Sequence, residues 1–391
     1  MKMKKGMAIL LVMAMMFSFA ACGQQPGGGT DPTEKENDVQ EKESDVQDEG
    51  SASGEPISVL FVVEGHLGDG QSTDTVYAAV EGVVKANNGQ LIAAECNSDA
   101  SLYEPYLMDA AATGEYDLII APFNAVVEAV EFAAEAYPEQ KFIGYDAEYS
   151  YDGKNANVVS YRARSCDGGF MAGVTAAIVT TSGAEGTNPE KVVGFVGGGE
   201  NPAIQDFLFG FIDGVKYIDS SIDVRYAFVG NWDDIAIGKE LGAAQIEAGA
   251  DVIFTTCGTA SYGTAAALVE EGGYCLGCGG DFAALTKESQ PDISRIFITS
   301  NMNTYDSIIA GAVSDYIEGK LEFGKHTEVG WADNAVGWYT NDTFDEIFTD
   351  EMRAQWDGAS EALKRGDVVV STAIGATQEE IDAKKAEAAP Y

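Results

Sequence analysis

Val192-Val193-Gly194-Phe195-Val196-Gly197-Gly198 is apolar along its whole length and ends on glycines. That pattern predicts a strand buried on both faces, the kind found in parallel sheets. Pro202 follows and opens a helix, at the first helical position, where its missing N–H is not needed. A buried strand, a glycine-rich turn and a helix form one β-α unit.

The same unit repeats outward in both directions. Downstream, strands are expected over Asp223 to Gly230, Asp251 to Cys257, Tyr274 to Gly280 and Ile296 to Asn301. Helices fall between and after them, over Asp234 to Ala248, Ala260 to Glu271 and Thr304 to Gly319. Upstream, Ile57 to Val63, Gln90 to Cys96, Asp117 to Pro122, Lys141 to Asp146 and Val158 to Ala163 read as strands. The helices there are Thr73 to Asn88, with Val76, Ala79, Val80, Val83 and Val84 on one face, Leu102 to Thr113, Asn124 to Ala136 with Asn124 as N-cap, and Gly168 to Thr180. Two such series in tandem predict an α/β protein of two doubly wound lobes.

The N-terminal end is of another kind. Lys2, Lys4 and Lys5 precede an apolar run from Ala8 to Ala21. The run is shorter than the about 20 apolar residues a spanning helix needs and has the form of a signal peptide. It ends Phe19-Ala20-Ala21-Cys22-Gly23, like a lipobox, although Phe19 stands where leucine is usual. Residues 1–22 are therefore expected to be a lipoprotein signal with Cys22 as the lipidated residue. Residues 23–55 hold Gly27-Gly28-Gly29 and then a polar stretch with almost no apolar residue. This segment cannot bury enough surface to fold and is expected to be a disordered acidic linker with a reach of about 30 Å. A folded body held outside the cell membrane on a soft tether follows.

The formal net charge is −40, and loss of the three signal lysines makes it more acidic still. Bulk binding of nucleic acid needs a basic surface and is excluded. Six cysteines occur, at 22, 96, 166, 257, 275 and 278, with only two histidines, His66 and His326. Cys275-Leu276-Gly277-Cys278 has C-x-x-C spacing, but a zinc site wants a second pair of ligands. A redox pair belongs at a helix start rather than inside a strand-like run. Neither metal nor cofactor is expected. Gly197-Gly198-Gly199 is followed by no Lys-Ser/Thr and is no phosphate loop.

Ligands of doubly wound sheets bind outside the carboxyl ends of the strands. The loops there span 64–74, 123–124, 146–151, 198–207, 231–234, 258–262, 279–282 and 301–306, and they are rich in Asp, Asn and aromatic residues. Facing loops of this composition suit a polar ligand with a flat face.

These residues resemble a family. Val192 to Gly198, then Phe207-Leu208-Phe209-Gly210-Phe211 and Gly214-Val215-Lys216, are its most specific stretch. Asn157-Val158-Val159-Ser160 with Gly169-Phe170-Met171-Ala172-Gly173, Gly230-Asn231-Trp232-Asp233-Asp234, Gly249 to Phe254 and Phe297-Ile298-Thr299-Ser300 complete the order. From about Ile57 to the high 330s the chain resembles the basic membrane protein family, bacterial lipoproteins whose best-known members are purine nucleoside receptors for ABC importers. The resemblance implies the type I periplasmic-binding-protein fold, two lobes joined by three crossovers. These are expected near Arg162 to Cys166, Asn301 to Asn303 and Phe323 to Val329. The N-terminal lobe would hold 56–164 plus 303–325, and the C-terminal lobe 165–302 plus 326–391.

It also implies a site in which aromatic rings sandwich a base and carboxylates grip ribose hydroxyls. Phe207 matches the stacking position of the second lobe, against the alternative that it is core. Trp232 and Phe123 follow strand ends, Asp146 ends its strand, and Asp281 matches the second aspartate of a pair. Asp69 and Asp74 lie in the first loop, where Asp74 has a helix cap as its alternative. Three positions depart from the family. Thr75-Val76 replace a Phe-Asn, with Tyr77 as a substitute ring; Gly279 replaces the first aspartate of the pair; and Asn303 replaces a lysine.

The expected function is a monomeric, extracytoplasmic, lipid-anchored receptor that closes two lobes on a nucleoside and delivers it to an ABC permease. Another flat polar solute, or a sensor docking on a membrane receptor kinase, are the alternatives. An enzyme is not expected, for want of a carboxylate cluster or a G-x-S-x-G elbow.

Overall fold

The computed structural model describes residues 56–68 and 72–390. Cys22, the signal segment, the linker and Asp69 lie outside the described residues.

The first series runs β1 (Ser58–Val63), α1 (Ser72–Ala86), β2 (Gln90–Glu95), α2 (Tyr103–Thr113), β3 (Leu118–Pro122), α3 (Val127–Ala136), β4 (Lys141–Tyr145) and β5 (Val158–Ala163). The second runs α4 (Ser165–Thr180), β6 (Val192–Gly197), α5 (Pro202–Ile218), β7 (Asp223–Phe228), α6 (Ile235–Glu247), β8 (Ala250–Thr256), α7 (Ser261–Glu271) and β9 (Tyr274–Cys278). Short helices α8 (Phe282–Thr286) and α9 (Pro291–Ile296) lead into β10 (Phe297–Asn303). Then come α10 (Asp306–Ile317), β11 (Lys325–Val329), β12 (Val336–Thr340), α11 (Asp342–Ile347), α12 (Asp350–Lys364), α13 (Gln378–Lys385) and β13 (Ala389–Pro390).

The strands form two sheets. The first has the order β11-β5-β4-β3-β1-β2 and is parallel throughout. The second has the order β12-β10-β9-β8-β6-β7-β13, with only β12 antiparallel. In each sheet the order reverses at its first strand, β1 or β6. That reversal opens a crevice at the carboxyl ends of the strands.

Alternation along the strands fills two cores per sheet. Val59, Phe61 and Val63 face one core with Val80 of α1 and Ile309 of α10, while Leu60 and Val62 face another with Leu107 and Val130. Each large apolar side chain buried in this way stabilises by about 1.5–3 kcal/mol. Helix α4 is buried at every position and lies in the largest core with α5 and α12.

Glycines set the distance between α4 and α5. A Cβ on Gly169 would stand 2.2 Å from the Phe207 carbonyl oxygen, and one on Gly210 would stand 1.9 Å from that of Cys166. Gly173 and Gly214 repeat the contact one turn on, at 2.2 and 2.0 Å. The two backbones touch, and any side chain there would push them apart.

The chain passes between the sheets three times. It leaves the first sheet after Ala163, returns at Thr304–Tyr305 and leaves again at Gly330–Ala335. The first passage is where the sequence puts it. The second falls after Asn303 because β10 runs to that residue. The third is displaced from Phe323–Val329, because Lys325 to Val329 pair in parallel with Val159 to Ala163 along their whole length. The expected boundary at 325/326 therefore cuts a strand that belongs entirely to the first sheet. Asn124 is not a helix cap either: its Oδ1 accepts the Glu148 N–H at 3.0 Å, pinning the loop after β4.

Candidate ligand-binding site

At the carboxyl end of β3, Phe123 has φ 63° and ψ 157°. This region is nearly confined to glycine, and holding a bulky residue there stores strain of the sort that clusters at ligand sites. The Phe123 N–H donates to the Tyr145 carbonyl at 2.8 Å, and its ring centroid lies 6.1 Å from that of Tyr145. Next door, at the end of β4, Asp146 also has positive φ, 52°. Its N–H donates to the Tyr161 carbonyl and its Oδ1 accepts the Tyr305 hydroxyl, each at 2.9 Å. Burial raises the Asp146 carboxyl above its usual range, opposed by the Tyr305 bond and by the Arg162 charge. No helix starts at Asp146, so a cap role falls away.

The first loop is folded back on its helix. Asp74 lies within the first turn of α1 rather than at its cap, and its Oδ1 accepts the Gly68 N–H at 2.8 Å. Tyr77 packs edge-on against Phe61 with centroids 5.5 Å apart and is half-buried.

In the second lobe Trp232 lies on the glycines that end β6. A Cβ on Gly198 would stand 2.3 Å from Trp232 Cε3, so the indole rests on bare backbone. Its corner is rigid: Asn231 Oδ1 accepts the N–H groups of Asp233 and Asp234, and Asp234 caps α6 through the Ile237 N–H. The indole is still 48% exposed. Phe207 is the reverse case, at 6% exposed. Its ring meets Phe254 in a T-shape at 6.1 Å inside the core of α4 and α5. The packing alternative describes where this ring sits.

Asp281 caps α8, its Oδ1 accepting the Ala284 N–H at 3.0 Å. Gly279 has φ 99°, a backbone that glycine adopts freely and aspartate does not. Asn303 Nδ2 donates to Ser165 Oγ at 3.3 Å, joining the end of β10 to the start of α4.

Two residues were not singled out from sequence. Tyr305 is buried at the second passage, and its hydroxyl also accepts the Ala163 N–H at 2.7 Å. Asn301, four residues before it in β10, is fully buried. The signal for Asn301 was an asparagine at i and i+2 in the second half of a strand.

Charges near the passages are already engaged. Arg162 holds Glu148 at 3.1 Å and Glu328 at 2.7 Å, and Arg164 holds Asp167 at 3.3 Å. Cys275 and Cys278 are free thiols on opposite faces of β9, both pushed up by burial. Among the described residues no group of His, Cys, Asp or Glu is placed to hold a metal ion. No described helix is long and apolar enough to cross a membrane.

Residues 57–363 match the family described as ABC transporter substrate-binding protein PnrA-like (Bmp). Basic membrane protein A of Borreliella burgdorferi is 23% identical over 326 residues, which cover 82% of this chain and 90% of that protein. A CD4+ T-cell-stimulating antigen of Listeria monocytogenes is 30% identical over 153 residues, 39% of each chain. Among solved structures, an ABC transporter solute-binding protein of Aeropyrum pernix K1 superimposes with a TM-score of 0.65 at 20% identity, covering 85% of this chain and 98% of that one. A second, from Conexibacter woesei, gives 0.64 at 18% identity, covering 81% and 99%. These likenesses carry the fold, two doubly wound lobes of the type I periplasmic-binding-protein class.

Proposed function

The chain belongs to the PnrA-like family of ABC transporter substrate-binding proteins, which are solute receptors and not enzymes, and from that premise we propose that it captures a nucleoside and hands it to an importer by closing its two lobes. One observation carries the reading: each lobe has an aromatic ring at the carboxyl ends of its strands, Phe123 in the first and Trp232 in the second. Stacking on such a ring contributes about 1–3 kcal/mol per base. Asp146, at the next strand end, supplies a carboxylate that accepts hydroxyl protons through charge-assisted bonds.

The acidic surface and the engaged arginines disfavour phosphorylated ligands. Closure turns on the three passages: Tyr305 ties the second to Ala163 at the first, and Asn303 at the end of β10 meets Ser165 at the start of α4. Cys22 carries the lipid that holds the receptor at the cell membrane, on the tether of residues 23–55. The test is calorimetry with a nucleoside panel, together with mass spectrometry of any solute released on denaturation. A released sugar or amino acid, with no heat from any nucleoside, overturns the ligand. A radius of gyration that stays constant at saturation overturns closure, and a Cys22→Ala protein still retained in the membrane fraction overturns the anchor.

A further inference from the structure

Asn301 is 1% exposed, and neither its Oδ1 nor its Nδ2 has a hydrogen-bond partner among the described residues. Native proteins keep few such groups, because a buried donor or acceptor without a partner loses its bonds to water and gains none in return. A leucine has the same branching and would avoid that cost.

A register shift determines where the amide points. β10 shifts against β9 between Phe297 and Thr299, and beyond the shift Asn301 pairs with Cys278 on one side and Trp338 on the other. Its side chain thereby joins the face covered by α4 and α5. A Cβ on Gly168 would stand 2.9 Å from Asn301 Nδ2, 3.3 Å from Val336 Cγ1 and 3.4 Å from Phe207 Cε1. Glycine is a poor helix former beside alanine, and here it leaves room around the amide. Two residues on, Asn303 shares this face. Its Nδ2 is held by Ser165, but its Oδ1 is buried without a partner.

We propose that Asn301 is a specificity-determining residue of the solute site, reading an N–H/C=O edge of a neutral ligand at the carboxyl end of β10, with Asn303 Oδ1 as a second acceptor. The proposal rests on the receptor reading above. A carboxamide offers one acceptor and one donor side by side, and its complement is another amide-like edge, as in a lactam or a base. An ionic ligand would bring an unpaired charge against neutral amides in a buried place, which is costly. Phe207 and Val336 meet the amide around Gly168, and rotation of the two side chains would admit the ligand edge. The ring at 207 then serves the site from its edge while remaining part of the core.

The test compares wild type with Asn301→Leu, using guanosine as the probe. Calorimetry is expected to show affinity falling at least tenfold, with the melting temperature of the free protein unchanged or higher. A melting temperature lowered by several degrees, with guanosine affinity within threefold of wild type, makes the amide structural and overturns the proposal. Asn301→Ser, read in the same two ways, decides the matter if the leucine variant does not fold. If wild type binds no nucleoside, the nucleoside reading fails separately. The proposal is then decided by mass spectrometry of the solute released on denaturation. A solute retained by wild type and lost from the variant supports it, and equal retention overturns it.

Discussion

The Tyr305 hydroxyl donates to Asp146 Oδ1 at 2.9 Å while accepting the Ala163 N–H at 2.7 Å. One phenol thus fastens the second passage between lobes to the first, and both to the end of β4. Tyr305→Phe leaves a buried N–H and a buried carboxylate unpaired. Urea unfolding is expected to show a loss of about 1–3 kcal/mol. An unchanged midpoint would mean that water replaces the phenol without loss.

Asp251 contributes a pH dependence of definite sign. It is buried at the start of β8, where its Oδ2 accepts the Asn188 N–H at 2.8 Å, and burial pushes its carboxyl up to about 6. The unfolded value is about 3.9. A raised carboxyl binds its proton more tightly in the folded state, so its contribution is full below about pH 4 and is lost as pH rises through about 6. Stability measured across that window should fall less steeply in Asp251→Asn than in wild type. Parallel curves would assign the slope to other groups.

The glycine contacts between helices predict opposite signs at two helical positions. Gly210→Ala places a methyl 1.9 Å from the Cys166 carbonyl oxygen and should destabilise by about 1–3 kcal/mol or more. Gly82→Ala in α1 meets nothing within 4 Å and should stabilise by about 0.5–1 kcal/mol. Denaturant midpoints of the two variants decide it; equal shifts would contradict the helix contact.

Trp232 and Phe207 separate binding from packing. Trp232→Ala should weaken ligand binding by about 1–3 kcal/mol and leave the melting temperature nearly unchanged, since the indole is largely outside the core. Phe207→Ala should cost about 3–5 kcal/mol of stability. A large loss of stability in Trp232→Ala would make that ring a structural prop.

The sequence was most legible where a local pattern decides. Apolar strand runs and the Asn201-Pro202 helix start, where Asn201 Oδ1 accepts the Ile204 N–H at 3.1 Å, place the central strands and helices of both lobes. It was least legible at the edges. Lys325-His326-Thr327-Glu328-Val329 has a single strongly apolar residue and reads as a connection, yet it pairs as an edge strand, where polar side chains are the norm. The polar α13, with Ile381 as its one strongly apolar residue, is hidden for the same reason. At the site, chain order puts Trp232 and Phe123 at strand ends, but it does not say which face of Phe207 is enclosed. That depends on Gly168 and Gly169 of a helix distant in sequence. Nor does a lone asparagine reveal that a register shift will bury it, as happens at Asn301.

Gly279 and Asn303 stand where the resemblance places an acid and a base that grip ribose, so the demand for both ribose hydroxyls should be weak. Side-by-side calorimetry with guanosine, deoxyguanosine and guanosine monophosphate tests whether this receptor takes a nucleoside with so weak a demand. Guanosine is expected to bind saturably, deoxyguanosine within about tenfold of it, a gap of about 1.4 kcal/mol, and the monophosphate far more weakly. No heat from either nucleoside, or a monophosphate that binds more tightly than both, would contradict the nucleoside reading.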